Sequence, residues 1–248
     1  MKRLGRVLLF VLVGLIGYGI AWIQPFIFRP PLMVGQDAVT DAASLTARVS
    51  IDDVSGRVLS ISPANGPGDL LLVFYPGGLV RPQAYEWLGR ALAAQGVQTV
   101  IPEFFADLAV TGKDRADALI AHYANGRRVV IAGHSLGGAM AADYASRHSG
   151  QLSGMILEGA YPPSGVSVTA FPSLSLLGEH DEVADAATVR AGMAQLAPTS
   201  KLVVIPGSVH AFFGRYGPQQ GDGAPTVRRE MAENAMVAAI GSYLKRLG

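Results

Sequence analysis

One serine of this chain lies in a glycine-rich segment directly after an apolar run. Residues 129–140 read VVIAGHSLGGAM, and the five residues 133–137 follow the pattern G-x-S-x-G around Ser135. Where a strand precedes this pattern and a helix follows it, the turn is so tight that the positions two before and two after the serine must be small. The serine hydroxyl then projects above the sheet. The segment therefore predicts that Ser135 is a nucleophile.

A serine hydroxyl is a weak nucleophile, and it needs a base that is itself oriented by an acid. In a strand–serine–helix turn of this kind, the order along the chain is serine, acid, histidine. His210 lies in a loop beyond the apolar run 202–205, and Asp181 comes just after the run 174–177. We predict that His210 is the base and Asp181 the acid. Glu158, which ends the preceding apolar run, is the alternative acid.

Two backbone segments are expected to donate N–H groups to a developing oxyanion. The Leu136 N–H begins the helix that follows the serine, and it points toward the same spot. The segment YPGGL at 75–79 follows another predicted strand, and its two glycines allow the backbone to approach a substrate closely. The sequence thus predicts an oxyanion hole formed by Leu136 together with Gly78 or Leu79.

Short apolar runs alternate with helical segments along most of the chain. Continuous rather than alternating apolar runs indicate strands that are buried on both faces of a parallel sheet. A short hairpin precedes them, and the predicted strands are 46–51, 57–61, 70–75, 97–101, 129–132, 154–157, 174–177 and 202–205. The predicted helices are 83–95, 113–124, 135–148, 183–196 and 226–247. This alternation predicts an α/β domain with a mostly parallel sheet and helices on both faces.

Several motifs together resemble a known family. The segments YPGGLV, GHSLGGAMAADYA, GEHD and HAFFGRYGPQQGDG are similar to those of the α/β-hydrolases, and in particular to the compact bacterial group called the α/β-hydrolase fold-5 domain. This group is distantly related to the dienelactone hydrolases, which have a cysteine where this chain has Ser135. The resemblance implies a serine hydrolase that cleaves a carboxylic ester or a similar acyl bond. The alternatives are an acyltransferase with the same residues and a catalytically idle, membrane-tethered binding module.

No substantial cap domain is expected over the site. The stretch 158–173 between two predicted strands holds three prolines, and it is too short and too broken for a helical lid. An open site of this kind favours a small-molecule substrate with a short acyl group. The residues expected to form its rim are aromatic: Phe104, Phe105, Tyr161 and Phe212.

The loop Gly214–Gly223, GRYGPQQGDG, is unusually rich in glycine. The simplest interpretation is a surface loop. Two alternatives give it a role at the site: it shapes the rim beside His210, or its Asp222 binds a cation.

The amino terminus has the composition of a membrane signal. Lys2, Arg3 and Arg6 precede the apolar run 7–23. We predict an uncleaved signal anchor over 1–29, a linker over 30–45 and a hydrolase domain over 46–248; a cleaved signal peptide is the alternative. Because the positive residues stay inside, the catalytic domain is expected on the exported side of the membrane, periplasmic or extracellular, or secreted after cleavage.

Composition argues against several other classes of protein. The chain has 248 residues, no cysteine, five histidines and a formal net charge of +1, with 16% charged residues. Thiolate metal sites and disulfides are therefore excluded, and no basic stripe suits a nucleic acid. We expect no metal, no cofactor, no nucleic acid and no obligate protein partner.

Overall fold

A computed structural model of the chain describes residues 2–27 and 45–247. The chain divides into two compact units, Met1–Pro31 and Leu32–Gly248. Apart from Leu45, the predicted linker lies outside the described residues.

The first unit contains a single long helix, α1 (Lys2–Ile27). Its segment Arg3–Trp22 has 20 residues and a mean hydropathy of 2.1, and none of it is buried. About 20 apolar residues in a helix span the hydrocarbon core of a bilayer. By length and composition, α1 can therefore cross a membrane.

The second unit is built on one sheet of eight strands. They are β1 (Arg48–Asp53), β2 (Arg57–Ser62), β3 (Leu70–Tyr75), β4 (Val97–Pro102), β5 (Arg128–His134), β6 (Gly154–Glu158), β7 (Ser173–Gly178) and β8 (Lys201–Ile205). Their order across the sheet is β1-β2-β4-β3-β5-β6-β7-β8. The first two strands pair antiparallel, whereas β4, β3, β5, β6, β7 and β8 form a parallel run. The carboxyl ends of these six strands therefore meet at one edge of the sheet.

Helices cover both faces of this sheet. They are α2 (Glu86–Ala93), α3 (Ala116–Tyr123), α4 (Leu136–Arg147), α5 (Ala186–Gly192) and α6 (Arg229–Lys245). One apolar layer packs residues of α2 and α6 against the sheet, and a second layer packs residues of α3 and α4 against its other face. Strands β3, β4 and β6 are buried along their whole length, which explains why most of their residues are apolar.

The predicted strands and helices are all present, with shifts of a few residues at their ends. Two predicted helices begin or end in a tighter 3₁₀ turn. The turn Pro82–Tyr85 precedes α2, and the turn Met193–Gln195 follows α5. No helix lies between β6 and β7, so the expected absence of a large cap agrees with the structure over this described stretch. The prediction of an α/β fold with a mostly parallel sheet is confirmed.

Candidate active site

Ser135 occupies the sharp turn between β5 and α4. Its backbone has φ 51° and ψ −123°, a conformation that residues with a side chain rarely adopt. Steric contacts explain why glycines flank it. A Cβ on Gly133 would lie 2.5 Å from the carbonyl carbon of Gly137, and a Cβ on Gly137 would lie 2.2 Å from the backbone carbonyl oxygen of Tyr75. The Ser135 N–H donates to the Glu158 carbonyl at 2.9 Å, which fastens the turn to β6. Strand, turn and neighbouring strand thus hold the serine in a strained conformation.

His210 and Asp181 form a buried pair at the same edge of the sheet. His210 Nδ1 lies 2.9 Å from Asp181 Oδ2, and both side chains are almost fully buried. The other carboxylate oxygen, Oδ1, accepts the N–H groups of Val183 at 3.0 Å and Ala184 at 2.7 Å. Since an ionised carboxylate only accepts hydrogen bonds, this geometry assigns the proton between the two side chains to Nδ1. His210 Nε2 then carries a lone pair, and no hydrogen bond to this buried atom exists among the described residues.

Ser135 and His210 face a common cavity. It has a volume of about 290 Å³ and is partly open to solvent. Its other lining residues are uncharged: Leu136, Ala139, Gly159, Ala160, Tyr161, Pro163, Val183 and Ala184. A ligand in this cavity would meet the serine and the histidine together, with mostly apolar walls around them.

The two predicted oxyanion segments also meet here. Gly78 lies against Leu136, because a Cβ on Gly78 would be 3.3 Å from the Leu136 Cδ2 atom. The Leu136 N–H is the first of α4, and such an N–H has no partner within its own helix. The Leu79 N–H instead donates to the Asp107 carbonyl at 2.8 Å, so it is not available to a substrate. Of the two alternatives for the second donor, the structure leaves Gly78.

The prediction for the aromatic rim is partly wrong. Phe104 is 7% exposed and packs edge-on against Tyr75, and Phe212 is 9% exposed and lies under the Arg229 guanidinium. Both rings are buried because the apolar layers on the two faces of the sheet extend to this edge. Tyr161 does line the cavity, whereas Phe105, although 79% exposed, does not.

Glu158, the alternative acid, has a different environment from Asp181. Its side chain is buried, and Oε2 has no hydrogen bond among the described residues. Burial raises the pKa of Glu158 well above its usual range, because a desolvated carboxylate is costly. No hydrogen bond to His210 is found for Glu158 in the described part of the chain. The geometry therefore favours Asp181 as the partner of the histidine.

The loop Gly214–Gly223 reaches the site through Asp222. One carboxylate oxygen of Asp222 accepts the His210 N–H at 3.0 Å and the Gly223 N–H at 2.9 Å, and the other accepts the Ala211 N–H at 2.8 Å. These bonds cap the 3₁₀ helix His210–Phe213 at its first turn. No residue of this loop is among the described residues that line the cavity, and the contact of Asp222 with the backbone of His210 differs from all three interpretations given to the loop.

Two further residues that sequence reasoning missed lie behind the cavity. The Tyr85 hydroxyl is 2.9 Å from His134 Nδ1, and it accepts the Gly77 N–H at 2.9 Å. The His134 ring lies 4.4 Å from the His210 ring, centroid to centroid. Position 134 is the variable residue before Ser135, so its type was visible in the motif. Its partner Tyr85 belongs to a separate 3₁₀ helix and has no sequence signal.

A metal site is not found in the described regions, 2–27 and 45–247. No group of three or more histidine, aspartate or glutamate side chains is arranged there to hold an ion.

Comparison with known proteins agrees with this fold. Residues 71–234, which include Ser135 and most of β3, match the sequence profile of the alpha/beta hydrolase family. No curated protein matches the sequence significantly.

Many solved structures share the fold. Dienelactone hydrolase from Anabaena variabilis superposes with a TM-score of 0.61 at 17% identity, over 81% of this chain and 98% of that one. Alpha/beta hydrolase domain-containing protein 10 from mouse superposes with a TM-score of 0.60 at 11% identity, over 82% of this chain and 100% of that one. Est1E from Butyrivibrio proteoclasticus superposes with a TM-score of 0.58 at 14% identity, over 81% of this chain and 98% of that one. Since the family profile covers most of the chain and these folds agree with it, this chain belongs to the alpha/beta hydrolase family.

Proposed function

We propose that this protein is a serine hydrolase that cleaves a carboxylic ester or a similar acyl bond. The observation that carries the proposal is the Asp181–His210 pair, whose histidine lines one cavity together with a serine in a strained strand-to-helix turn. Strain at a side-chain-bearing residue costs about 1–3 kcal/mol, and it persists where the surrounding structure enforces it. Such an arrangement is typical of a site that presents a nucleophile.

Each group has a role in two chemical steps. The Ser135 hydroxyl attacks the acyl carbon while His210 Nε2 takes its proton and then passes it to the leaving group. Asp181 keeps the other nitrogen protonated and stabilises the imidazolium. The N–H groups of Leu136 and Gly78 donate to the oxyanion. Water, activated by His210, then attacks the acyl-enzyme, releases the acid and restores Ser135.

The cavity supports a short, uncharged acyl group. Its volume of about 290 Å³ and its apolar walls suit a small chain, and no lysine, arginine, aspartate or glutamate is among the described residues that line it. The structural neighbour Est1E is solved with ferulic acid, a small carboxylic acid, bound to it. We expect p-nitrophenyl butyrate to be hydrolysed with a higher kcat/KM than the palmitate ester. A protein lacking residues 1–31 that prefers the palmitate ester would contradict this.

Labelling with a fluorophosphonate probe tests the nucleophile. The probe should label the wild type covalently, and Ser135→Ala should remain unlabelled while it keeps its melting temperature. An unlabelled wild type would support the idle binding module and overturn the proposal. Product analysis in the presence of a small alcohol separates hydrolysis from acyl transfer: free acid is expected, whereas the new ester as main product would identify an acyltransferase.

We also propose that α1 anchors the protein in a membrane with the hydrolase domain on the exported side. The support is the length and apolar character of Arg3–Trp22 and the positive charges at its start. A reporter fused to the C-terminus should be active only outside the cytoplasm. A reporter that is active in the cytoplasm would refute the orientation, and a mature protein that starts after about residue 22 would instead identify a cleaved signal.

A further inference from the structure

The oxyanion segment and the nucleophile turn belong to different strands, β3 and β5, and no covalent constraint fixes the distance between them. A displacement of about 1 Å at a catalytic centre costs roughly 10²-fold in rate. The Gly78 N–H must therefore be held in place relative to Ser135 by contacts near the start of the oxyanion segment.

One hydrogen-bonded chain makes this connection. The Gly77 N–H donates to the Tyr85 hydroxyl at 2.9 Å, and that hydroxyl lies 2.9 Å from His134 Nδ1. Gly77 precedes the oxyanion donor Gly78, and His134 precedes Ser135. The chain thus joins the residue before the donor to the residue before the nucleophile.

The donor and acceptor of each hydrogen bond between Gly77, Tyr85 and His134 can be assigned. The Tyr85 hydroxyl has a single proton, and its oxygen already accepts from Gly77, so the proton is free to be donated to His134 Nδ1. Burial lowers the pKa of His134 well below its usual value, the nearby His210 lowers it further, and the ring is therefore neutral and able to accept. Burial also raises the pKa of Tyr85 well above its usual value, so the hydroxyl keeps its proton. Donor and acceptor are matched at both steps.

Packing restricts the movement of these hydrogen-bonded residues. Tyr85 and His134 are fully buried, and the Tyr85 ring lies 4.7 Å from that of Phe74. A Cβ on Gly77 would be 2.7 Å from His134 Nδ1 and 3.0 Å from the Tyr85 oxygen. Glycine is required at position 77 because the two polar groups approach the backbone so closely.

We propose that Tyr85 and His134 are positioning residues that set the place of the Gly78 N–H relative to Ser135. This inference rests on the proposed serine-hydrolase function, and it adds two residues that do not themselves touch the substrate. It requires that loss of either side chain weakens binding of the oxyanion more than binding of the substrate.

The test compares Tyr85→Phe, His134→Phe and the double variant with a matched control. Tyr85→Phe removes only the hydroxyl group, and His134→Phe keeps an aromatic ring while it removes the acceptor Nδ1. Tyr243 is the control, because its buried hydroxyl also accepts a backbone N–H, that of Met155 at 3.0 Å, and donates to the Pro172 carbonyl at 2.7 Å. Met155 and Pro172 lie toward the amino ends of β6 and β7, away from Ser135.

Two kinetic quantities are measured in full-length protein with p-nitrophenyl butyrate. Tyr85→Phe and His134→Phe should each lower kcat about tenfold to hundredfold with little change in KM, and the double variant should be no slower than either. A trifluoromethyl ketone, whose adduct with serine carries an oxyanion, should lose affinity by the same factor. Tyr243→Phe should lower the melting temperature and leave kcat and the affinity for the trifluoromethyl ketone unchanged.

His134→Asn provides a rescue test that requires no substitution at Tyr85. The asparagine oxygen supplies an acceptor near the place of Nδ1, so most of the activity lost in His134→Phe should return. This comparison decides the matter if Tyr85→Phe fails to fold.

The proposal is overturned if folded Tyr85→Phe keeps kcat within about twofold of the wild type, if the two losses multiply, or if His134→Asn is as slow as His134→Phe. Failure of the positioning proposal differs from failure of the proposed function. If the proposed function fails, Ser135→Ala hydrolyses the ester no more slowly than the wild type does.

Discussion

Asp181 and Glu158 are two buried carboxyl groups at the same edge of the sheet, just after or at the ends of the adjacent strands β7 and β6. Asp181 accepts hydrogen bonds from His210, Val183 and Ala184, whereas Oε2 of Glu158 has no partner in the described part of the chain. Burial raises the pKa of Glu158 well above its usual value, so desolvation favours its neutral form. Two similar positions along the chain thus differ in their hydrogen bonds, because the fold brings His210, 29 positions away in sequence, to Asp181 and not to Glu158.

The comparison has meaning for catalysis only if His210 acts on Ser135. Ser135→Ala and His210→Ala should each lower kcat by about 10³- to 10⁶-fold, because the two groups act as a unit. The double variant should be little slower than either single one. Measured with p-nitrophenyl butyrate, losses that multiplied in the double variant would show that the two residues are not partners.

The sharpest test exchanges the two carboxyl groups for their amides. Asp181→Asn should lower kcat by about 10³- to 10⁴-fold, because an amide does not hold the His210 ring with its proton on Nδ1. Glu158→Gln should change kcat by less than about threefold, since a neutral carboxylic acid and an amide have a similar shape and charge. A mild effect at Asp181 together with a large one at Glu158 would transfer the acid role.

A third carboxylate, Asp222, should have an intermediate effect. It holds the backbone of His210 rather than its ring, and Asp222→Ala should lower kcat about tenfold through misplacement of the base. The matched control is Asp185→Ala, because Asp185 caps α5 in the same way by accepting the Thr188 N–H at 2.8 Å. Equal losses of kcat in both variants would mean that Asp222 only contributes to general stability.

The smallest effect concerns stability rather than rate. The pKa of Glu158 is raised in the folded state, so the folded protein binds more protons than the unfolded chain once the pH exceeds the ordinary glutamate value of about 4.3. Wild-type stability should therefore fall relative to Glu158→Gln as the pH rises, by at most about 1.4 kcal/mol per pH unit. Urea unfolding of both proteins from about pH 4 to about pH 8 measures this difference. A constant or shrinking advantage of the variant would mean that Glu158 is not neutral in the fold.

Much of the fold was predictable because its signals are local. A strand buried on both faces favours an apolar run, and β3 and β5 each have one over most of their length, whereas β4 also buries the polar side chains of Gln98 and Thr99. The turn at Ser135 was recognisable because its five-residue pattern is local, and the clash that requires Gly133 arises within that pattern. The clash that requires Gly137 is instead with the backbone of Tyr75 in β3. The order of the strands and the tight 3₁₀ turns next to α2 and α5 have no such local signal.

The candidate site was predictable only in part. The order serine, acid, histidine directed attention to Ser135, Asp181 and His210, and these roles stay predictions. The rim failed at Phe104 and Phe212, because an aromatic residue in a loop has the same sequence signature whether its ring faces the cavity or an apolar layer of the core.

By itself, the sequence determined the class of fold, the strained serine and the apolar helix at the amino terminus, since each depends on residues that are close together along the chain. Only the tertiary structure decided which partner each polar group has. Leu79 lost its role because its N–H is paired with Asp107, and the pairing of Tyr85 with His134 joins segments 49 positions apart. Hydrogen bonds are short and directional, so the choice between similar groups depends on distances of a few tenths of an ångström that no local pattern encodes.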